Sequence, residues 1–519
     1  MPGVENRYQF IQQILPSITL SEVNGVAKKM PGTDNAFTLI TAPEKMKESL
    51  PSNADLLQAV VAATKKTVTA YEEKAVATAL LDSEPVAGKV SAEKKNDKLG
   101  TTDLTLSNGV TVTIKPTTNK NDEILMDAWR WGGYQTFSLA DKENAQYAAN
   151  IVQEMGVKDM SPADIRKFLS GKTLSVYPYI NDFEEGIEGR SSVKDFETFL
   201  QLMYLYFTKP RMDASAFKSF VTKQKASLQF LKDNPQAFFA DTIAKIVYKN
   251  NPWAQGIPTA EDYDRLDLEK SFGIYNQLFN NAYGMHFTFV GNIDPATAKP
   301  LLEKYLGSLP ASQKENKYKD NGVRMANGVI QANVQKGKES QSFVTILFEG
   351  VTTFNRENRM ALAALIEVLN IRVIEKLREE MSGIYGGGFS GSISKRPYEH
   401  YSIRANIPCG PENVEKLSAA LIDLIKSAQN GQLEQKDLDK VKETWKKQYR
   451  VNLQNNNYWL SALSNAFIDQ TNPENILDYE QKVDALTLAD LQKAAGKYLT
   501  LDNMVKVALY PENAKMPET

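Results

Sequence analysis

Residues 487–512 (TLADLQKAAGKYLTLDNMVKVALYPE) align without gaps to residues 19–44 (TLSEVNGVAKKMPGTDNAFTLITAPE), and eight of the 26 positions are identical. Each stretch has the pattern of a helix that begins after a threonine, a short loop with Asp-Asn, and a strand that ends at Pro-Glu. We interpret residues 1–44 as the end of a module whose beginning is absent. The alternative is two unrelated helix–strand units that share common residues.

The stretch 487–512 also ends a longer order of elements that occurs twice. In the first occurrence, a strand pair within Thr102–Thr117 is followed by strands and amphipathic helices as far as a helix that begins at Asp294. From about residue 328 the same order returns. Two units with one element order indicate an internal duplication. The pattern predicts an α+β protein of repeated modules, each a mostly antiparallel sheet packed against helices.

These patterns divide the chain into four parts. We predict the C-terminal part of a preceding module at 1–82, a linker at 83–100, a complete module at 101–318 and a final module at 319–519. The linker prediction rests on a Lys-, Glu-, Ser-, Asp- and Ala-rich composition with almost no apolar periodicity. The partial module is expected to contain a strand near Ala36–Thr41. Because a module without its first strands leaves a sheet edge and an apolar face uncovered, we expect the chain to need another polypeptide segment.

Composition excludes several classes of function. The chain has 519 residues, of which 42% are hydrophobic and 24% charged, and its formal net charge is −2. Interleaved charges of both signs argue against nucleic-acid binding, and no apolar run approaches the ~18 residues needed to cross a bilayer. The single Cys409 excludes an internal disulfide and a cysteine zinc cage. His286 and His400 are the only histidines, 114 positions apart.

Three segments of the chain carry a specific family resemblance. Leu104–Val112 (LTLSNGVTV) has the pattern of an opening strand pair, and Phe287–Pro295 (FTFVGNIDP) with Leu301–Pro310 (LLEKYLGSLP) has that of a closing strand, helix and exit. Leu377–Tyr385 (LREEMSGIY) matches the signature Leu-Arg-Glu-x-x-x-x-x-Tyr. In this order the segments resemble the pitrilysin/insulinase family of zinc peptidases. The resemblance extends over nearly the whole chain.

The catalytic motif of that family is an inverted zinc motif, His-x-x-Glu-His, with a further glutamate far downstream. Two neutral imidazoles and a carboxylate hold the metal, an open position holds water, and the motif's own glutamate is the general base. The corresponding helix here reads Ala148–Met155 (AANIVQEM), and the downstream region reads Phe220–Lys225 (FVTKQK). Neither segment supplies the required residues, so zinc could not be held by these groups.

The resemblance implies a clamshell half. Full-length members resemble four related domains in two halves that close around a peptide, with zinc only in the first domain. We therefore expect a degenerate module without a zinc motif at 101–318, the family's fourth domain at 319–519, and no metal or cofactor in this chain. The zinc would lie in a missing N-terminal half or in a partner subunit.

Arg378 and Tyr385 are the candidate catalytic residues implied by the resemblance. In the family, these two residue types of the fourth domain reach across the closed chamber toward the scissile bond. Arg378 would bind a carbonyl or carboxylate, and the Tyr385 hydroxyl would stabilise the oxyanion, both in trans to the zinc domain. The alternative is a solvated arginine in the last turn of a helix and a packed strand tyrosine.

Other conspicuous residues have structural interpretations. Gly386–Gly388 lies inside a strand pattern without Gly-Lys-Ser/Thr, so it is not a phosphate loop, and it leaves room for a peptide backbone. Gly132-Gly133 indicates a turn at a strand end. His286 is expected in the core, and His400 on an exposed hairpin. Aromatic residues at helical spacing are expected in the core rather than on a ligand platform: Phe196, Phe199, Tyr204, Tyr206 and Phe207.

The leading hypothesis is a non-catalytic C-terminal half of a zinc endopeptidase, inactive alone. Its expected partners are a zinc-bearing half or subunit and peptide substrates. Two alternatives stay open, namely an inactive family member that serves as a structural assembly subunit, and a protein that captures peptides without cleavage. Resemblance to bacterial members suggests the periplasm or cell envelope, although the N-terminus lacks the pattern of a secretory signal.

Overall fold

The computed structural model describes residues 3–30, 36–42, 44–67, 77–254, 256–314, 316–381, 384 and 386–516. The chain divides into two compact units, residues 1–75 and 76–519. In its described residues, the α-helices of the first unit are α1 (Val4–Ile14), α2 (Leu20–Lys29) and α3 (Asn53–Lys65).

Capping residues determine where the helices of the first unit begin. Before α2, the Thr19 hydroxyl accepts from the Glu22 backbone N–H, while the Glu22 carboxylate accepts from the Thr19 backbone N–H at 2.8 Å. Ser52 and Asp55 form the same reciprocal pair before α3. Each pair satisfies two backbone donors that a helix start leaves free.

The first unit has no buried residue among 3–30, 36–42 and 46–63. The prediction of a strand near Ala36–Thr41 is wrong, because residues 36–42 have no regular secondary structure. A strand requires a neighbouring strand to accept and donate its backbone hydrogen bonds, and a lone alternating segment does not supply one.

The second unit begins with a seven-stranded module. Its strands are β1 (Val90–Asn96), β2 (Thr101–Leu106), β3 (Thr111–Pro116), β4 (Ile124–Trp131), β5 (Leu174–Ile180), β6 (Glu184–Ser191) and β7 (His286–Gly291). Its helices are α4 (Lys142–Met155), α5 (Pro162–Phe168), α6 (Phe196–Thr208), α7 (Ala214–Asp233), α8 (Pro235–Val247), α9 (Ala260–Asp264), α10 (Leu268–Phe279) and α11 (Pro295–Tyr305).

A five-stranded module follows. Its strands are β8 (Val329–Gln335), β9 (Ser342–Val351), β10 (Gly388–Ser394), β11 (His400–Cys409) and β12 (Met504–Tyr510). Its helices are α12 (Arg356–Val373), α13 (Val414–Gln429), α14 (Gln435–Asn452), α15 (Asn456–Ile468), α16 (Tyr479–Asp484) and α17 (Leu488–Tyr498). A π-helical segment, Ile374–Glu380, continues α12.

The two sheets repeat one topology. The first has the order β1-β2-β3-β7-β4-β6-β5, and the second has the order β10-β11-β9-β12-β8. β3 and β7 are parallel, as are β8 and β12, and every other pairing is antiparallel. Five strands of the first sheet, β3-β7-β4-β6-β5, therefore correspond to β8-β12-β9-β11-β10. The observed topology agrees with the predicted duplication, and the α+β prediction is confirmed.

Residues 90–96, which the sequence analysis placed in a linker, form the edge strand β1. Val90–Asn96 pairs antiparallel with β2, and its central residues are exposed. Its charged residues, Glu93, Lys94 and Lys95, protect the sheet edge against unwanted pairing. A charged edge strand and a solvated linker have similar compositions, so the pattern could not separate them. The boundaries of the four predicted parts stay a prediction.

The two modules of the second unit exchange helices across their sheets. From the first module, Phe239, Ile243 and Val247 of α8 pack on the second sheet against Val505, Val507 and other residues. From the second module, Trp459 and Leu463 of α15 pack on the first sheet against Leu99 and Val290. α8 and α15 hold equivalent places in the repeat, so the exchange is reciprocal. Each sheet is covered by its own helices on one face and by a helix of the other module on the opposite face.

Candidate functional site

The place that corresponds to the family's zinc helix is α4. Its residues Ala148, Ala149, Ile151 and Val152 are buried in the core of the first module. The helix packs on α7, where the Tyr147 and Phe220 rings meet edge to face with centroids 6.1 Å apart. Small and apolar side chains therefore fill the space between these two helices.

The one charged contact between α4 and α7 that the structure shows joins Glu154 and Lys223 at 3.5 Å, and both side chains are about half exposed. A lysine at this place repels a cation rather than binding it. Within the described parts of the chain, no group of three His, Cys, Asp or Glu side chains lies close enough together to hold a metal ion.

Arg378 lies on the π-helical continuation of α12. Leu377 beside it is fully buried, so the segment is anchored, whereas Arg378 is exposed. No hydrogen bond or ion pair joins Arg378 to another residue that the structure describes. π-Helical turns within α-helices are rare and often occur at functional sites. At the predicted position the guanidinium is therefore exposed and unpaired within the described part of the chain.

Tyr385 lies outside the described residues, so its distance from Arg378 is not assigned. The glycines that follow it have different reasons for being glycine. Gly387 has φ 102°, and a Cβ there would lie 2.5 Å from the Asn406 carbonyl oxygen. A Cβ on Gly388 would lie 2.4 Å from the Asn370 side-chain oxygen. Only a Cβ on Gly386 would meet open space, so the room expected for a peptide is limited to that position.

Gly132-Gly133 forms the predicted turn at the end of β4. A Cβ on Gly132 would lie 2.2 Å from the Glu185 carboxylate, which accepts from the Gly133 backbone N–H at 2.7 Å. Glu185 also accepts from Arg130 at 2.8 Å, and both side chains are buried. The Arg130 guanidinium donates in addition to the Leu278 and Tyr283 carbonyls. This buried pair is hydrogen-bonded throughout, which marks it as structural.

The two histidines have separate environments. His286 is 3% exposed, its Nδ1 lies 2.8 Å from the Thr111 hydroxyl, and its ring stacks on Phe467 with centroids 3.6 Å apart. Burial lowers the pKa of His286 to about 3, so the ring is neutral. His400 is half-buried rather than exposed, because its ring stacks on Tyr398 with centroids 4.4 Å apart.

The aromatic series of α6 belongs to the core, as predicted. Phe199 and Phe207 are essentially inaccessible, and Phe196 and Tyr206 are buried as well, while Tyr204 is half-buried against Tyr305. None of the five therefore offers a free ligand platform.

Sequence reasoning missed an aromatic cluster between the two modules. Trp129 lies edge to face with both Trp131 and Phe467, at centroid distances of 4.9 and 5.5 Å. The Arg396 guanidinium lies over the Trp131 ring at 3.8 Å. Beside these rings is a cavity of about 620 Å³. Alternation along β4 gave a signal, since Trp129 and Trp131 point to the face opposite Ala128 and Arg130.

The sequence of this chain is similar to those of known proteins. Residues 265–444 match the model of the peptidase M16 inactive domain. The zinc protease PQQL-like of Arabidopsis thaliana is 22% identical over an alignment of 481 positions that covers 89% of this chain and 47% of the relative. The probable zinc protease PqqL of Haemophilus influenzae is 23% identical over an alignment of 530 positions that covers 98% of this chain and 55% of the relative.

A solved structure supports the same fold. The periplasmic protease PqqL from Escherichia coli superposes with a TM-score of 0.75 at 18% identity, over 99% of this chain and 56% of that one. The resemblance to the M16 (pitrilysin/insulinase) family that the motifs predicted is confirmed, because residues 265–444 match the inactive domain of that family. It spans about half the length of the curated relatives it matches. Of the described helices, none is long and apolar enough to cross a membrane.

Proposed function

We propose that this chain is the non-catalytic half of a zinc endopeptidase, which closes the peptide chamber over a zinc domain located elsewhere. The observation that carries the proposal is the match to the M16 inactive domain in a chain whose α4–α7 contact is filled by alanine and aromatic side chains. Its role would be to enclose the peptide and to supply Arg378 and Tyr385 to the reacting bond.

Arg378 is suited to this role because it is exposed and has no partner among the described residues. A guanidinium held at the end of a buried helix can donate two hydrogen bonds to a substrate carbonyl or carboxylate. Tyr385 would donate to the oxyanion as it forms, which lowers the barrier more than it strengthens substrate binding.

The test is cleavage of a quenched fluorescent peptide by this chain mixed with the zinc-bearing half. Arg378→Ala should lower kcat by about 100-fold, because the guanidinium would no longer hold the substrate carbonyl in the reacting position. Glu379→Ala is the matched control, since Glu379 is the exposed neighbour on the same segment. Unchanged kcat in Arg378→Ala would contradict the assignment of Arg378.

Residues 19–44 would provide part of the contact with that other half. In residues 487–512 the equivalent segment is buried in a module, whereas Val26 and Leu39 are 60% and 72% exposed. We propose that 19–44 completes a sheet whose other strands belong to the zinc-bearing half. We also propose that the chain consists of the parts 1–82, 83–100, 101–318 and 319–519, with β1 of the second part joined to the sheet of the third.

Binding of the zinc-bearing half, measured by calorimetry, tests this contact. Leu39→Asp should weaken the complex by at least 10-fold, because a charge would enter an apolar sheet face. Leu39→Val is the control that keeps an apolar residue of strand-forming type. Equal affinity of Leu39→Asp and the unmodified chain would contradict the proposal.

We propose a periplasmic location, since the Escherichia coli relative is described as a periplasmic protease. Fractionation of the native host by osmotic shock should release this protein with periplasmic markers. Recovery with cytoplasmic markers would contradict the location without affecting the assignment of the fold.

A further inference from the structure

A cavity of about 620 Å³ lies between the first sheet and α15. Strand residues Thr105, Trp129 and His286 line one side, and Leu463 and Phe467 of α15 line the other. Both modules therefore contribute to its wall. Phe467 is 43% exposed although its ring stacks on His286, so the aromatic wall of the cavity is open to solvent.

The helix exchange alone does not explain the cavity, because the equivalent contact of α8 with the second sheet is closely packed. Where α8 covers the second sheet, Phe239, Ile243 and Val247 interlock with buried strand residues. α15 has the equivalent position on the first sheet, yet its last turn leaves this space unfilled. Because this space is open to solvent, water covers the ring surface there, and a ligand ring would remove that apolar surface from water.

Two nitrogen atoms of wall residues have no hydrogen-bond partner within the described chain. Nδ1 of His286 is engaged by the Thr111 hydroxyl, and Nε2 has no hydrogen bond to any residue that the structure describes. The indole N–H of Trp129, a residue that is 3% exposed, is likewise unpaired there and is covered by the side chains around it. A ligand with a polar edge would gain a hydrogen bond at Nε2 of His286 in place of water.

The wall disfavours an anion and offers rings to a ligand. Of the two charged side chains among its described lining residues, Arg130 is paired with Glu185, and the Asp103 carboxylate accepts from the Thr113 hydroxyl at 2.6 Å. An anion entering here would lose its hydration without finding a free cation, and an aliphatic ammonium would not supply the flat ring that an aromatic wall stacks on. Aromatic walls bind a flat ring through edge-to-face and stacked contacts.

We propose that this cavity is a binding site for a neutral aromatic side chain, phenylalanine or tyrosine, of a peptide. The peptide as the source of the ring rests on the proposed function, whereas the recognition of the ring rests on the cavity alone. Ring faces would contact Phe467 and Trp129, and a polar edge would reach Nε2 of His286.

N-acetyl-phenylalanine amide, titrated into this chain without the zinc-bearing half, is the probe, and isothermal calorimetry is the readout. Saturable binding is expected, and N-acetyl-lysine amide should bind at least 10-fold more weakly. Thr105→Trp, which fills the cavity from the strand, should weaken binding at least 10-fold, whereas Thr105→Ser should not. Ala466→Leu fills it from α15 and gives a second variant if Thr105→Trp does not fold.

Absence of saturable binding, or equal binding of the lysine and phenylalanine amides, would overturn the proposal. Undiminished binding by a folded Thr105→Trp or Ala466→Leu variant would also overturn it, since the probe would then bind elsewhere. A nonapeptide with one central phenylalanine, compared with its alanine counterpart, distinguishes the source of the ring. Tighter binding of the phenylalanine peptide supports a peptide ligand, and equal binding of the two nonapeptides overturns it. Because no cleavage is measured, failure here is distinct from failure of the proposed function.

Discussion

Residues 19–44 and 487–512 have one sequence pattern but opposite environments. Leu491 and Val507 are fully buried, whereas the aligned Val23 and Leu39 are 52% and 72% exposed. β12 lies between β9 and β8, so its backbone and both faces are covered. The comparison shows that the pattern specifies a helix by itself, through its cap, but forms a strand only where a sheet receives it.

The largest difference is expected for a charge in the strand. Val507→Asp should destabilise the final module by at least about 4 kcal/mol, because an unpaired carboxylate would enter the core. Leu39→Asp, at the aligned position, should leave unfolding of the isolated chain unchanged. Urea unfolding followed by circular dichroism measures both, and a comparable loss in the two variants would break the comparison.

Shortening an apolar side chain on the helix of each segment should give a smaller difference in the free energy of unfolding. Leu491→Ala removes a fully buried side chain of α17 and should cost about 2–5 kcal/mol. Val23→Ala, its counterpart on α2, should change the free energy of unfolding by less than about 0.5 kcal/mol. Thermal unfolding of the two variants checks this, and a large effect of Val23→Ala would show that α2 is packed in solution.

α10 and β7 are the counterparts of α17 and β12 in the first module. The buried His286 of β7 makes the stability of that module depend on pH. In the unfolded chain its pKa is about 6.5, and in the folded protein burial lowers the pKa to about 3. Above pH 6.5 the ring is neutral in both states. As the pH falls toward 3, only the unfolded state binds the proton, so stability falls by about 1.4 kcal/mol per pH unit.

Two variants isolate this contribution. His286→Phe and His286→Gln should both remove that part of the acid slope, although they differ in polarity. Urea unfolding at pH 7, 6, 5 and 4 measures the slope. If the unmodified chain and both variants had the same slope, the folded-state pKa of His286 would not be lowered.

The smallest difference concerns the helix caps. Thr487→Ala removes the reciprocal pair with Asp490 and should cost about 1 kcal/mol of stability. Thr19→Ala removes the same device from α2, where only local helix content should fall. Amide hydrogen exchange distinguishes the two, and global destabilisation by Thr19→Ala would contradict the exposure of α2.

Much of the fold could be predicted from the sequence because the same order of helices and strands occurs twice in it. The paired strands, the α12 helix and the aromatic core of α6 all come from local periodicity that a second copy confirms. The turn at Gly132-Gly133 was also predictable, because the positive φ angle of Gly133 is readily adopted only by glycine.

The remaining features depend on contacts that periodicity does not encode. The apolar spacing of α8 and α15 predicts a helix that covers a sheet but does not say which sheet. The exchange of these helices between the modules could therefore not be predicted from the sequence. β1 was predicted as part of a linker because an exposed edge strand carries many charged residues, as a solvated linker does. The cavity depends on how α15 ends against β7, which is a matter of three-dimensional packing. Arg378 was found only through the family signature, because its exposure alone is unremarkable for an arginine.

The most direct test of the central claim is peptide hydrolysis by three samples: this chain, the zinc-bearing half, and their mixture. Bound zinc is measured in each by elemental analysis. The account predicts near-zero zinc and no cleavage for this chain, and chelator-sensitive cleavage by the mixture well above that of the zinc-bearing half. Stoichiometric zinc with chelator-sensitive cleavage by this chain alone would contradict it.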